Sequence, residues 1–383
     1  MKYNYAIRSK INDFNQSVYA QFSKSMYTSN AIDIARGYSE MGTPDILKEK
    51  AASLIGEGRT HYTRVNGHLK LREEIARYFE NKTGLSYMPD KEVTITAGVT
   101  EGIYSTITSL IREGDEVIVI EPAYDAYTPI IELCGGKVVY VNSLIDNFKV
   151  DWKGVQQAIN PRTRMIVLND PHNPTGALFT AKDLATLARI VNGTDIIILS
   201  DETMESLVYN GKKHVSLMTN LELAERTVFV SGFGKLLSTT GWRIGFCLAP
   251  ENLTREIRKI HHFAAFNANS TFQYALADSF SQLNFEEYRL LFQERRNYFI
   301  NALKQTKLTV KSTDSGIYLL ASYENISDMK DADFSNKLIT DHKVATVPVS
   351  AFMRDKSNTG HLRLCFARPI DVLDKAIEKL MKL

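Results

Sequence analysis

Seven short apolar runs mark the middle of the chain: Val93–Thr96 (VTIT), Glu116–Ile120 (EVIVI), Lys137–Val141 (KVVYV), Met165–Leu168 (MIVL), Ile196–Leu199 (IIIL), Thr227–Val230 (TVFV) and Ile244–Ala249 (IGFCLA). They are rich in β-branched residues, and apolar positions follow one another instead of alternating with polar ones. That is the pattern of strands buried on both faces. Longer stretches with helical spacing separate them. Between the first two runs, Ile103, Ile107, Leu110 and Ile111 recur on one helical face behind Thr100, a candidate N-cap. Strand and helix in alternation predict an α/β fold with a mostly parallel seven-stranded sheet covered by helices.

The two ends read differently. Residues 1 to about 45 are irregular with short helical pieces. Beyond about residue 280 come two long helical patterns, near Phe285–Gln305 and Asp333–His342, then short strands and a final helix over Asp371–Lys382. The chain of 383 residues is also long for one simple core. The expected division is a large domain over 46–279 and a smaller α+β domain built from 1–45 and 280–383.

Composition narrows the function classes. With 44% hydrophobic and 23% charged residues, the chain is neither disordered nor fibrous. A net charge of +2, with both signs interspersed, argues against nucleic acid as the main partner. Cys134, Cys247 and Cys365 are widely spaced, with no CxxC and no metal-ligand spacing, and the histidines form no HExxH. The first residues lack an apolar signal-peptide core, and no run reaches membrane-spanning length. A cytoplasmic protein acting on small molecules, without metal or membrane partner, is expected.

Ligands of open α/β sheets bind at the carboxyl ends of the strands. Five of the runs exit into unusual stretches: AGVTEG, EPAYDAY, NDPHNPTG, SDETME and SGFGK. Each has a plain structural reading. Gly98 and Thr100 form a strand-to-helix turn, which is also an anion site. Tyr124 is a packing aromatic or a flat surface for a ring. Asn173 sits in a proline-constrained turn. Asp201 is a cap, or a buried carboxylate in need of a cation. Lys235 leaves a core strand among glycines, where desolvation favours the neutral amine and nucleophilic chemistry. Arg243 offers a fixed fork for a phosphate. A phosphate anchor, a stacking surface, a carboxylate for a ring nitrogen and a lysine amine together describe pyridoxal 5'-phosphate.

The ordered set AGVTEG, EPAYDAY, HNPTG, DE, SGFGK, TGWRIGF, LRLCFA resembles the fold type I, class I/II aminotransferases, with matching segments from Ile32–Glu40 to the C-terminus. THYTRVNGHLKLREEIARYF (Thr60–Phe79) is similar to the family's Y-x-x-x-x-G-x-x-x-L-R stretch. FGKLLSTTGWRIGFCLAP, ASYENISDMKDADF, VATVPVSAF and LRLCFA resemble the branch of methionine and kynurenine–oxoglutarate aminotransferases. The resemblance implies that Lys235 forms the Schiff base with the cofactor and then shuttles the substrate proton. Asp201 would hold the pyridine nitrogen, Asn173 the ring hydroxyl oxygen, and Tyr124 would stack on the ring. Arg243 and the backbone N–H groups of Val99 and Thr100 would hold the phosphate. Tyr62 would reach the phosphate of the neighbouring subunit in a homodimer. Arg363 would grip the substrate carboxylate, with Gly37, Tyr38 and Asn173 nearby.

Two positions depart from the family pattern. Met204 stands where the family carries a tyrosine that bonds the ring oxygen, and a thioether cannot donate. An altered pKa of the lysine–cofactor Schiff base is therefore expected. Gly232 stands where a phosphate-contacting serine is usual, so that hydrogen bond is lost or supplied by Ser231. The expected activity is transfer of the amine of a large apolar, thioether or aromatic amino acid to a 2-oxo acid such as 2-oxoglutarate. No second arginine for an acidic side chain is evident, which makes aspartate the weaker donor. The alternatives are a C–S β-lyase on the same scaffold and a non-catalytic pyridoxal-phosphate regulator. The chain lacks the GxGxxG turn that a dinucleotide-binding enzyme would carry after its first strand.

Overall fold

The computed structural model describes residues 9–11, 17, 26, 28–143 and 148–383; part of the irregular stretch expected over 1–45 lies outside the described residues. Thirteen strands occur among these residues: β1 (Ile32–Asp33), β2 (Val93–Thr96), β3 (Glu116–Glu121), β4 (Lys137–Asn142), β5 (Thr163–Asn169), β6 (Ile197–Asp201), β7 (Thr227–Ser231), β8 (Gly245–Leu248), β9 (Thr309–Lys311), β10 (Tyr318–Ser322), β11 (Val344–Ala345), β12 (Val347–Pro348) and β13 (His361–Cys365).

β2 to β8 form one sheet in the order β2-β8-β7-β6-β5-β3-β4. From β4 through β7 each pair is parallel, whereas β8 runs antiparallel to both β7 and β2. The apolar runs are continuous because helices cover both faces. Val117, Val119, Val167 and Leu199 join one core cluster with Ile103 and Ile107 of the Val99–Leu110 helix. Ile118, Ile120, Leu168 and Ile198 join the opposite one, with Leu184 and Leu187 of the Ala181–Val191 helix. Each such side chain contributes roughly 1.5–3 kcal/mol by leaving water. Only β4, at the sheet edge, is largely half-exposed.

The start of the Val99–Leu110 helix differs from expectation. Gly98 is the N-cap, at φ 81°, and no side chain caps the helix; Thr100 lies inside it. The chain enters through a left-handed backbone conformation that only glycine adopts without strain, so a hydroxyl cap is not what starts it.

Elsewhere β9, β10, β12 and β13 make an antiparallel sheet in the order β12-β13-β10-β9, and β1 pairs in parallel with β11. The Phe285–Leu303 and Ile370–Leu380 helices match two of the expected ones. The third is shorter: an α-helix over Asp331–Lys337 widens into a π-turn over Leu338–His342 and ends at Lys343, φ 58°. One apolar cluster runs from Phe229 and Phe246 of the large sheet to Leu319 and Leu364 of the smaller one, so the two sheets share a core. No helix of the described residues is long and apolar enough to cross a membrane.

Leu199 is fully buried at the centre of the large sheet. We expect Leu199→Ala to destabilise the protein by about 2–5 kcal/mol, read as a lower midpoint in urea unfolding.

Candidate active site

The carboxyl ends of β6 and β7, the start of the Val99–Leu110 helix and the stretch Arg36–Tyr38 enclose a cavity of about 430 Å³. Val99, Thr100, Tyr124, Asn173, Asp201, Lys235 and Arg243 all line it. Strand register explains part of this convergence: Asn169 is the pairing partner of Asp201 where β5 and β6 end together.

At one end is an anion cradle. A β-carbon on Gly98 would lie 2.4 Å from Nη2 of Arg243, and one on Gly245 would lie 2.5 Å from the backbone nitrogen of Val99. Both glycines are there because the helix start, β8 and the guanidinium approach more closely than any side chain allows. Unshared N–H groups of the first turn and the helix dipole favour an anion at this point. Arg243 itself adopts φ 56°, a left-handed conformation costing roughly 1–2 kcal/mol for a non-glycine residue. Its Nη1 donates to the Thr240 carbonyl at 3.3 Å. The helix start is tied down from behind: Glu101 accepts the Ala97 N–H at 3.0 Å and pairs with His261 Nδ1 at 3.0 Å. The other ring nitrogen of His261 donates to the Val65 carbonyl at 2.9 Å. Two acceptors require two ring protons, and Glu101 holds the imidazole pKa up although burial opposes it.

In the middle is Asp201, the buried last residue of β6. Burial raises its pKa, and the hydrogen bonds it accepts and the charge of Lys235 oppose that rise. The donors are the Tyr127 hydroxyl at 2.6 Å, the Thr203 N–H at 3.2 Å and the Thr203 hydroxyl. Burial and the neighbouring carboxylate push the Tyr127 hydroxyl far above its ordinary pKa, so it stays a neutral donor. Asn169 joins this group to the rest of the site. Its Nδ2 donates to the Asp201 carbonyl at 2.8 Å, and its Oδ1 accepts the Asn173 N–H at 2.7 Å. Asn173 Oδ1 then accepts from Arg363 Nη1 at 2.8 Å.

Arg363 is fully buried on β13. Its guanidinium lies 4.0 Å from the Tyr318 ring centre and 4.8 Å from that of Phe352, and Nη2 donates to the Ala35 carbonyl at 3.0 Å. Lys235 Nζ donates to the Gly37 carbonyl, so the 33–40 strap lies against the amine. Arg368 fixes that strap by donating to the carbonyls of Asp33, Arg36 and Tyr38 at 2.8, 2.7 and 2.5 Å. The Tyr38 ring packs under the Arg368 guanidinium at 4.3 Å, and burial pushes its hydroxyl up to about 12.

Three expected residues do not line the cavity: Arg363, Ser231 and Tyr62. Ser231 is turned into the core, its hydroxyl donating to the Glu202 carbonyl at 3.0 Å, and does not line the cavity. Gly232 does line it, but a β-carbon there would approach the Ile244 carbonyl to 3.0 Å and Val99 Cγ2 to 3.2 Å. Tyr62 is outside the cavity and 77% exposed, its ring edge-on to Phe266 at 5.0 Å. Met204 is buried and lines the cavity, an apolar wall where a donor was in question. Sequence reading missed Tyr127, Asn169, Thr203, Tyr318 and Arg36. The first three are polar residues in the same strand-exit stretches and were open to notice; Arg36 and Tyr318 were not, because the chain brings them from opposite ends.

The donor set fits pyridoxal 5'-phosphate: an anion cradle that a β-carbon would fill, a buried carboxylate for a ring nitrogen, and a lysine amine between them. Fold and site define a pyridoxal-phosphate enzyme of fold type I. The chain belongs to the class I and II aminotransferases, whose family model matches residues 30–380. It is 35% identical to a methionine aminotransferase of Escherichia coli over 98% of each chain. A crystal structure of an Escherichia coli protein reported to have methionine aminotransferase function superposes with a TM-score of 0.94 at 34% identity, covering 99% of this chain and all of that one. An N-succinyldiaminopimelate aminotransferase of Mycobacterium tuberculosis also reaches 0.94, at 29% identity, over 98% of this chain and all of that one.

Gly98→Ala adds a β-carbon at positive φ and against the guanidinium. We expect it to weaken pyridoxal-phosphate binding about tenfold or more, measured by equilibrium dialysis with absorbance detection, without loss of fold by circular dichroism.

Proposed function

We propose that this aminotransferase takes its amine from an L-amino acid with a large apolar, thioether or aromatic side chain, methionine-like, and passes it to a 2-oxo acid such as 2-oxoglutarate. The observation that carries the reading is the Asp201–Asn169–Asn173–Arg363 chain of hydrogen bonds beside Lys235. It ties the Arg363 guanidinium to the strand end that carries Asp201, and Lys235 lines the cavity beside it. The apolar wall of Met204 and Tyr318 and the likeness to the methionine aminotransferase favour the donor class. The equal superposition on the N-succinyldiaminopimelate enzyme means that the fold alone does not choose the substrate.

Bound pyridoxal phosphate supplies the electron sink that makes the substrate α-proton removable. The chain supplies the rest. Arg243 and the N–H groups of Val99 and Thr100 anchor the phosphate, Tyr124 packs against the ring and Asn173 bonds its hydroxyl oxygen. Asp201, held by three donors, keeps a charge beside the ring nitrogen. Arg363 takes the substrate α-carboxylate in a two-pronged grip that orients the α-proton toward Lys235. Lys235 Nζ, once free of the cofactor, would accept that proton as a general base and release it as a general acid at the far carbon of the C–N linkage, the 1,3 shift that amine transfer requires. Gly37 and Tyr38 close the other side and keep water out.

Tyr62 belongs to a homodimer in this reading, its exposed ring reaching the partner's phosphate. The domain division over 46–279 and 1–45 with 280–383 belongs to the reading as well. A cytoplasmic location is favoured by three free cysteines, Cys134, Cys247 and Cys365.

The visible absorbance of the loaded protein is expected to bleach on adding methionine or an aromatic amino acid and to return with 2-oxoglutarate. Release of pyruvate and ammonia from cysteine conjugates in place of that exchange would favour the lyase instead. Lys235→Ala is expected to lower amine transfer at least about 10²–10⁴-fold, followed by coupled glutamate formation. Arg363→Lys loses the bidentate fork, and we expect KM for donor and acceptor to rise about tenfold or more, from steady-state kinetics.

A further inference from the structure

Amine transfer as proposed leaves one charged group of the cavity without a task. Arg36 lines it beside Gly37 and Tyr38. Its Nε donates to Asp33 Oδ2 at 2.5 Å, and its guanidinium lies 5.0 Å from the centre of the Tyr38 ring. The side chain retains 29% exposure, unlike Arg363 and Arg368, which are fully buried.

The ion pair of Arg36 is built so that it can be given up. Asp33 Oδ1 accepts the N–H groups of Ala35 and Arg36 at 3.0 and 3.1 Å, and Arg368 Nη2 stands 3.5 Å from Oδ2. Breaking a buried pair is costly when it strands a charge. If the Arg36 side chain turned away, Asp33 would keep two backbone donors and a second guanidinium. The strap would also stay in place, because Arg368 holds it through the carbonyls of Asp33, Arg36 and Tyr38 rather than through the Arg36 side chain.

One cavity must serve two substrates in turn. A donor with an apolar side chain is best met by a guanidinium already neutralised and laid on an aromatic ring. A dicarboxylic acceptor brings a second carboxylate, which is costly to bury without a cation. In the proposed reading Arg363 takes the α-carboxylate, Arg243 stands at the cradle against Gly98, and Lys235 is the reacting amine. Arg36 is the remaining cation among the described residues that line the cavity.

We infer that Arg36 is the residue that admits a dicarboxylic 2-oxo acid: it exchanges Asp33 for the distal carboxylate of the acceptor and returns to Asp33 when an apolar donor side chain binds. The inference rests on the amine-transfer reading above and specifies how its acceptor is recognised.

The test compares glutarate with pentanoate, which have the same carbon chain and differ by one carboxylate, as ligands of the holoenzyme in calorimetric titration. The wild-type protein binds glutarate more tightly. In Arg36→Gln the glutarate-to-pentanoate affinity ratio falls about tenfold or more, the loss of a charge-assisted hydrogen bond, and Arg36→Lys restores part of it. Using a ratio cancels any general disturbance of the cavity. A ratio that is the same in wild type and Arg36→Gln, or a wild type that does not distinguish the two ligands, overturns the inference. Bleaching by methionine in the wild type tests amine transfer separately: if it persists while the ratio is unchanged, only the role of Arg36 falls.

Discussion

A carboxylate held out of water at the end of β6 sets most of the site. Burying Asp201 would be costly in isolation, and the surroundings are arranged to reduce that cost. Tyr127 and Thr203 supply three hydrogen bonds, and Lys235 contributes a nearby positive charge. These do not bring its pKa down to the ordinary carboxylate range, because burial outweighs them. A cation placed against it would complete the balance. The same strand end is locked to β5 through Asn169, and β5 to β13 through Asn173 and Arg363. The strand end that carries Asp201 is thereby tied to Arg363, 162 positions further along the chain.

Much of this was legible in the sequence, because strands buried on two faces leave unbroken apolar runs. All seven runs of the large sheet are strands, and the stretches that follow five of them line the cavity. What was not legible follows from what the pattern omits. A run that is apolar throughout carries no mark of direction, so the antiparallel course of β8 leaves no trace in IGFCLA. Tyr127 lies three residues after Tyr124 in one stretch, yet only Tyr124 lines the cavity in front of Asp201 while Tyr127 supports it from within the core. Spacing alone does not tell a group that touches a ligand from one that orients another side chain.

The strap is the harder case. Arg36, Gly37 and Tyr38 meet Lys235 and Arg368 only because the chain folds back across some 200 to 330 positions. Its polar content, Asp33, Arg36 and Glu40 with one aromatic, looks like an ordinary solvated turn. Burial of Arg368 changes its meaning, since a guanidinium with no access to water must find its acceptors in the chain. It finds them in three strap carbonyls, which makes a short irregular segment as well placed as a strand.

The two departures from the family pattern acquire different meanings in three dimensions. Met204 faces the cavity, so its lack of a donor bears directly on whatever lies there. Gly232 is a matter of space: the Ile244 carbonyl and the Val99 side chain leave little room for even a β-carbon. Ser231 does not compensate, because its hydroxyl is committed to Glu202 within the core. The cradle in this chain consequently relies on backbone N–H groups and Arg243, with Gly98 keeping them within reach of one another. Close packing of β8 against the helix start occupies the place of a side-chain donor, and the strained backbone of Arg243 belongs to the same compression.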